Sequence, residues 1–167
     1  MSAEGPAPLE VSDAAGLPPE LAAAQPLWEE IDGGSIRSSL RAARLYPDGR
    51  LYSYSDRRRV TDKRGLPSQV PGPKRWRLDA RIKPEAVSGV RGLLEKAGPE
   101  ALALPESRGQ VMDGSHRAFR FFAAGRERRI FLDGRRYTPQ ESPALCREVR
   151  SLIQKGVAPG GAPMVQD

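Results

Sequence analysis

Histidine and cysteine are almost missing from this chain: His116 and Cys146 are the only ones among 167 residues. No intramolecular disulfide can form, and Cys-rich zinc motifs are excluded. A His-based metal site would have to draw its other ligands from carboxylates. No run approaches the roughly 18 apolar residues that a membrane span requires. The start, Met1-Ser2-Ala3-Glu4-Gly5, lacks the cationic beginning and apolar stretch of a secretory signal. Neither a Walker pattern nor Gly-x-Gly-x-x-Gly nor Gly-x-Ser-x-Gly occurs, so nucleotide chemistry and an elbow-type hydrolase have no support. Together these absences predict a cytoplasmic protein that is not an enzyme and holds no cofactor and no metal.

Lysine and arginine are also missing from one place. Residues 1–35 carry neither, yet hold Glu4, Glu10, Asp13, Glu20, Glu29, Glu30 and Asp32. All 27 cations fall on the remainder, so the net charge of +6 hides an acidic leader and a strongly basic body. A basic body attracts nucleic acid, an anionic surface or an acidic protein. The leader could fold back over that body, but the expectation is that it only keeps the chain soluble, since tails are usually loosely attached.

Glycine (17) and proline (16) are plentiful, which predicts loose ends around one compact domain. Residues 1–28 read as a largely disordered leader with a short helix at 18–25, followed by Leu27 and Trp28 as an apolar latch. Asp32-Gly33-Gly34-Ser35 reads as a turn. A hairpin is expected from Ile36–Tyr46 and Arg50–Arg58 around Pro47-Asp48-Gly49, where Leu51-Tyr52-Ser53-Tyr54-Ser55 alternates strictly. Residues 61–74, with three prolines and two glycines, read as a long loop. Trp76, Leu78, Ala80 and Ile82 alternate with charged residues and predict one strand with a single buried face. Pro84 and Glu85 open a helix that Gly98-Pro99 stops. A second hairpin follows at Phe119–Leu132 around Ala123-Ala124-Gly125-Arg126, and Ser142-Pro143 opens a last helix ending at Gly156. Residues 156–167 read as a disordered tail. The expectation is α+β: residues 29–155 as one domain in the order β-β-β-α-β-β-α. A mainly antiparallel sheet of four to five strands would carry two helices on one face, leaving the other face partly solvated.

Candidate chemistry is thin. Asp113, Ser115 and His116 supply hydrolase residue types, but neighbours on a strand or turn point apart. Cys146 sits in the first turn of a helix, where the dipole can activate a thiol, yet beside Leu145 it reads as packing. The arginines offer more. Arg57, Arg58, Arg59, Lys63, Arg64, Lys74, Arg75 and Arg77 surround the 61–74 segment, and with Gly33 and Gly34 they form the expected partner-binding surface. Tyr52, Tyr54, Arg77, Arg81, Arg128 and Arg129 compose an alternative, a basic and aromatic sheet face for single-stranded nucleic acid, masked by the acidic leader.

Several motifs line up in order: Gly33-Gly34-Ser35-Ile36, Asp48-Gly49-Arg50, Ile82-Lys83-Pro84-Glu85 and Leu93-Leu94-Glu95-Lys96-Ala97. Leu104-Pro105, Asp113-Gly114, the Phe119–Leu132 hairpin and the Leu145–Ile153 helix follow. Over residues 29–155 this pattern resembles the emfourin-type bacterial protease inhibitors and the α+β domains like them. The resemblance implies a regulatory or inhibitor-like module that binds another protein. The 61–74 segment and the missing export signal depart from it, and no functional residue carries over. The sequence does not specify the oligomeric state.

Overall fold

The computed structural model describes residues 9–11, 13–33, 40–104, 106, 116–134, 136–137 and 141–157. Its centre is one antiparallel sheet of six strands: β1 (Trp28–Gly33), β2 (Leu40–Leu45), β3 (Arg50–Thr61), β4 (Pro67–Arg81), β5 (His116–Ala123) and β6 (Arg126–Leu132). The spatial order is β4-β3-β2-β1-β5-β6, so the α+β class holds with more strands than expected. The additional strand is β1, which lies inside the sheet between β2 and β5 rather than forming a latch and turn. Its acidic spelling concealed it, because the buried Glu29 stands directly opposite Arg44 on one side and Arg120 on the other.

Turn chemistry closes the hairpins as the residues predict. Gly49 adopts φ +93, and a Cβ there would lie 2.6 Å from the Ile82 carbonyl oxygen. Ala124 and Gly125 both take positive φ, which matches the twist of the β5–β6 hairpin.

One face of the sheet carries α2 (Pro84–Lys96) and α4 (Ala144–Lys155), with the short α3 (Pro99–Leu102) between them in sequence. Val87, Val90 and Leu94 from α2 and Leu145, Cys146 and Val149 from α4 bury against Trp28, Leu45, Phe119, Phe121 and Leu132. Trp28 stacks on Phe121 with ring centroids 5.8 Å apart. Fully burying each such aliphatic or aromatic side chain contributes about 1.5–3 kcal/mol. Both helices therefore lie on one face, as the periodicity predicts.

The opposite face is covered as well. Leu9, Val11, Leu17 and Leu21 pack on Ile31, Ala42, Tyr46, Tyr52, Tyr54 and Trp76. Residues 9–11 and 13–27, containing the short helix α1 (Pro19–Ala22), thus form a strap across the sheet. The expectation of a disordered leader is corrected for the described part, residues 9–11 and 13–28. A few apolar side chains are enough because the sheet supplies the other half of this second core. Gly156 and Val157 are also ordered: the Lys83 amide donates to the Gly156 carbonyl at 2.8 Å, and Val157 bridges Ile82. The remainder of the expected tail lies outside the described residues.

Strand β4 departs from strict alternation. Leu51 pairs with Ala80 while Tyr52 pairs with Leu78, so the register slips at Asp79. Trp76 consequently buries in the strap-side core, Ala80 and Ile82 in the helix-side core, and Leu78 is left exposed. Such a bulge turns one alternating run into two half-runs that serve different faces.

Candidate functional site

The 61–74 segment is not a loop. β3 continues to Thr61 and β4 begins at Pro67, with pairs from Arg57↔Pro71 to Thr61↔Pro67. β2 pairs with β3 only from Leu51 to Ser55. Among the described residues no third strand accompanies the last five pairs, so they stand beyond the sheet as a two-stranded arm. At about 3.3 Å per residue this arm projects about 17 Å. Prolines hid it from a reading by composition: Pro67 and Pro71 lie on β4, an edge strand, where a missing amide hydrogen costs no ladder bond.

The base of the arm is an irregularity. Ser55 pairs with Arg75 and Arg57 with Pro71, leaving Asp56 alone opposite residues 72 to 74. Asp56 Oδ1 accepts the Leu40 amide hydrogen at 2.9 Å, tying the base to β2. At the tip, Asp62 Oδ1 accepts from the Arg64 amide at 2.8 Å and the Leu66 amide at 2.9 Å. This is the Asx turn that a short Asp-x-x-Gly tip favours.

Between Asp56 and Arg75 the sequence holds Arg57, Arg58, Arg59, Lys63, Arg64, Lys74 and Arg75 against Asp56 and Asp62. Arg58, Lys63, Arg64, Lys74 and Arg75 are exposed, and Arg57 is half-buried. Both carboxylates face backbone amides. Arg57, Arg58, Lys63 and Arg64 therefore lie on the projecting element, Lys74 and Arg75 at its base, and the exposed Arg77 just below it. Gly33 is separate, inside β1, and a Cβ there would meet Leu9 of the strap at 2.9 Å. Gly34 and the side chain of Arg59 lie outside the described residues.

The alternative surface is dispersed. Tyr52 and Tyr54 are each 5 % exposed and packed beneath the strap, so neither ring can stack on a base. Burial, followed by Asp13 and Asp56, raises the Tyr54 pKa above its ordinary value. Arg128 donates to the Ala97 carbonyl at 2.8 Å. Arg129 meets Glu10 and Glu127, each at 3.1 Å, and its pKa is raised, chiefly by the bond to Glu10. Arg81 is exposed opposite Arg50, at the far end of the β3–β4 pair from the arm.

Several working contacts were invisible in the sequence because they depend on which strands become neighbours. Glu29 holds Arg44, and its Oε1 lies 3.0 Å from Arg120 Nε. Arg44 also covers the Trp76 ring at 4.3 Å and donates to the Val11 carbonyl. Trp76 Nε1 donates to the Asp13 carbonyl at 2.7 Å, and its backbone amide donates to the Ala15 carbonyl at 2.7 Å. Glu20 of the strap lies 3.2 Å from Arg50; a bond to its own backbone, then Arg50, holds its carboxyl below the usual range. Acidic strap and basic sheet are thus clamped together by matched pairs, which corrects the expectation of a merely solubilising leader.

A cleft of about 210 Å³ lies beside the strap, floored by Leu9, Ile31, Ala118 and Phe131. Its rim charges, Glu10, Glu29, Arg120 and Arg129, contact one another rather than converging on the opening. His116 Nδ1 accepts the Gly134 amide hydrogen at 3.1 Å and lies 3.4 Å from Asp133. Asp113 and Ser115 fall outside the described residues. Cys146 is fully buried, and burial pushes its thiol up to about 12, so the thiolate needed for nucleophilic work is disfavoured at neutral pH. On the helix face, burial and then Arg150 lower the pKa of the buried Arg117, whose guanidinium donates to the Glu141 carbonyl. Among the described residues no helix is long and apolar enough to cross a membrane. No family model matches this chain, and no curated protein or solved structure matches it either.

Proposed function

We propose that this chain is a non-enzymatic binding module, regulatory or inhibitor-like in action, that holds an anionic macromolecular partner through the β3–β4 arm. One observation carries the reading: among the described residues a two-stranded extension stands beyond the sheet with Arg58, Lys63 and Arg64 exposed on it, and the exposed Lys74 and Arg75 lie at its base. An arm used only to protect a sheet edge would not need to extend past the strands it protects. The buried, protonated thiol of Cys146 and the mutual pairing of the charges around the cleft support a binding role over a catalytic one. A cytoplasmic setting, expected from the single cysteine, belongs to the same proposal.

Retention on immobilised heparin tests it. The full chain is expected to bind and elute with salt, and Lys63→Glu with Arg64→Glu to elute at distinctly lower salt. Identical elution of the two proteins would remove the arm as the binding surface.

A further inference from the structure

We infer that the partner gripped by the arm is double-stranded nucleic acid, entered through a groove; this rests on the binding-module reading above. Shape is the first support. Two paired strands lie about 4.8 Å apart, and a B-form major groove about 12 Å wide admits a two-stranded ribbon. The five overhanging pairs are ribbon alone, with no helix or third strand beside them among the described residues.

Composition is the second. Residues 57–75 contain no aromatic residue and no methionine, types that enrich the cores of protein interfaces; their arginines suit either kind of partner, and arginine and lysine are the side chains that meet phosphates and guanine edges. Leu66, 56 % exposed at the tip, is the one large exposed apolar side chain of the arm. The cations are interspersed with Thr61, Ser68 and Gln69, which hydrogen-bond to phosphates and base edges.

The disposition of charge is the third. Asp56 and Asp62, the acids of the arm, accept backbone amide hydrogens at the base and the tip. The directly opposed Arg58 and Val70 share one ribbon face, and Lys63 and Arg64 extend from the turn, so cations lie on the flank and at the leading end. Phosphate contacts of this kind position a ribbon, and each contact releases condensed counterions.

The test is fluorescence anisotropy of the full chain with a labelled 20-base-pair duplex, its single strand and labelled polyglutamate, between 50 and 200 mM salt. Duplex binding is expected at 50 mM salt, weakening linearly in log–log form. Lys63→Gln with Arg64→Gln should reduce the salt slope by about 2, close to one per lost phosphate contact, with melting unchanged. Arg58→Gln with Lys74→Gln repeats the measurement away from the turn and should flatten the slope likewise. Absent duplex binding at 50 mM salt, a slope that ignores both variants, or a single strand bound as tightly as the duplex would each overturn the inference. Arm-dependent binding of polyglutamate without duplex binding would overturn it too, but leave the binding module standing with an acidic protein as partner. Failure of every polyanion to bind through the arm would sink both.

Discussion

The arm continues two of the six strands of the sheet, β3 and β4, yet arm and body treat charge in opposite ways. In the body, helices cover one face and the strap the other, and five arginines there meet carboxylates while Arg41, Arg77, Arg81 and Arg126 are exposed. Arg44 and Arg120 meet Glu29, Arg129 meets Glu10 and Glu127, Arg50 meets Asp48 and Glu20, and Arg150 meets Glu30. On the arm no described residue of another element covers either face, Asp56 and Asp62 turn toward backbone, and Arg58, Lys63 and Arg64 are exposed, with the exposed Lys74 and Arg75 at the base. Four of the leader's seven acids, Glu10, Glu20, Glu29 and Glu30, neutralise arginines of the body. Residues 56–75 hold seven cations against two acids, so most of the net charge of +6 falls on the arm and its base. A basic isoelectric point alone would not have indicated where to look.

The contrast can be broken most severely from the body. Trp76→Ala removes a buried ring that touches Tyr54, Arg44 and the strap, and should cost about 3–5 kcal/mol in urea unfolding. It should also expose the strap to limited proteolysis. Glu29→Gln leaves two guanidinium groups around a neutral amide and should cost about 3 kcal/mol by the same measurement. Gly16 adopts φ +91, and a Cβ there would lie 2.2 Å from the Trp76 carbonyl oxygen. Gly16→Ala should therefore lower stability by about 2 kcal/mol, read as a drop in melting temperature.

A smaller effect is confined to alkaline pH. The Cys146 thiol ordinarily titrates near 9.0 and is pushed up to about 12 in the fold. Its contribution is fully present below 9 and is lost as pH rises toward 12, because the unfolded chain ionises first. Cys146→Ala should flatten that segment of the stability–pH curve, and native Cys146 should resist maleimide until the protein unfolds. Smallest of all, Lys63→Gln with Arg64→Gln should change unfolding stability by less than about 0.5 kcal/mol, while altering polyanion binding. A large loss of stability there would dissolve the distinction between body and arm.

The residues that announced themselves are those whose chemistry is local. Gly49, Ala124-Gly125, Pro84 and the 3.6-residue spacing of Val87, Val90 and Leu94 act within one turn or helix, and the α+β order follows from them. What escaped depends on distant partners. Glu29 reads as a solvated acid until β2 and β5 bring arginines to either side. The slip at Asp79 is silent in an alternating run, and it alone sends Trp76 to the strap while Ala80 goes to the helices. Pro67 and Pro71 read as loop until β4 is known to be an edge. The cations of the site were legible as a cluster; that they ride on and around a two-stranded ribbon was not.

The strap also sets an order of events during synthesis. Val11 and Asp13 leave the ribosome before any strand exists, yet their acceptors serve Arg44 and Trp76, and Glu10 meets Arg129 across a separation of 119 residues. Contacts so remote in sequence close late and slowly. The strap can dock only once the strands that carry Arg44, Trp76 and Arg129 have been made, and until it does the tyrosines of the strap-side core remain open to any other apolar surface in reach.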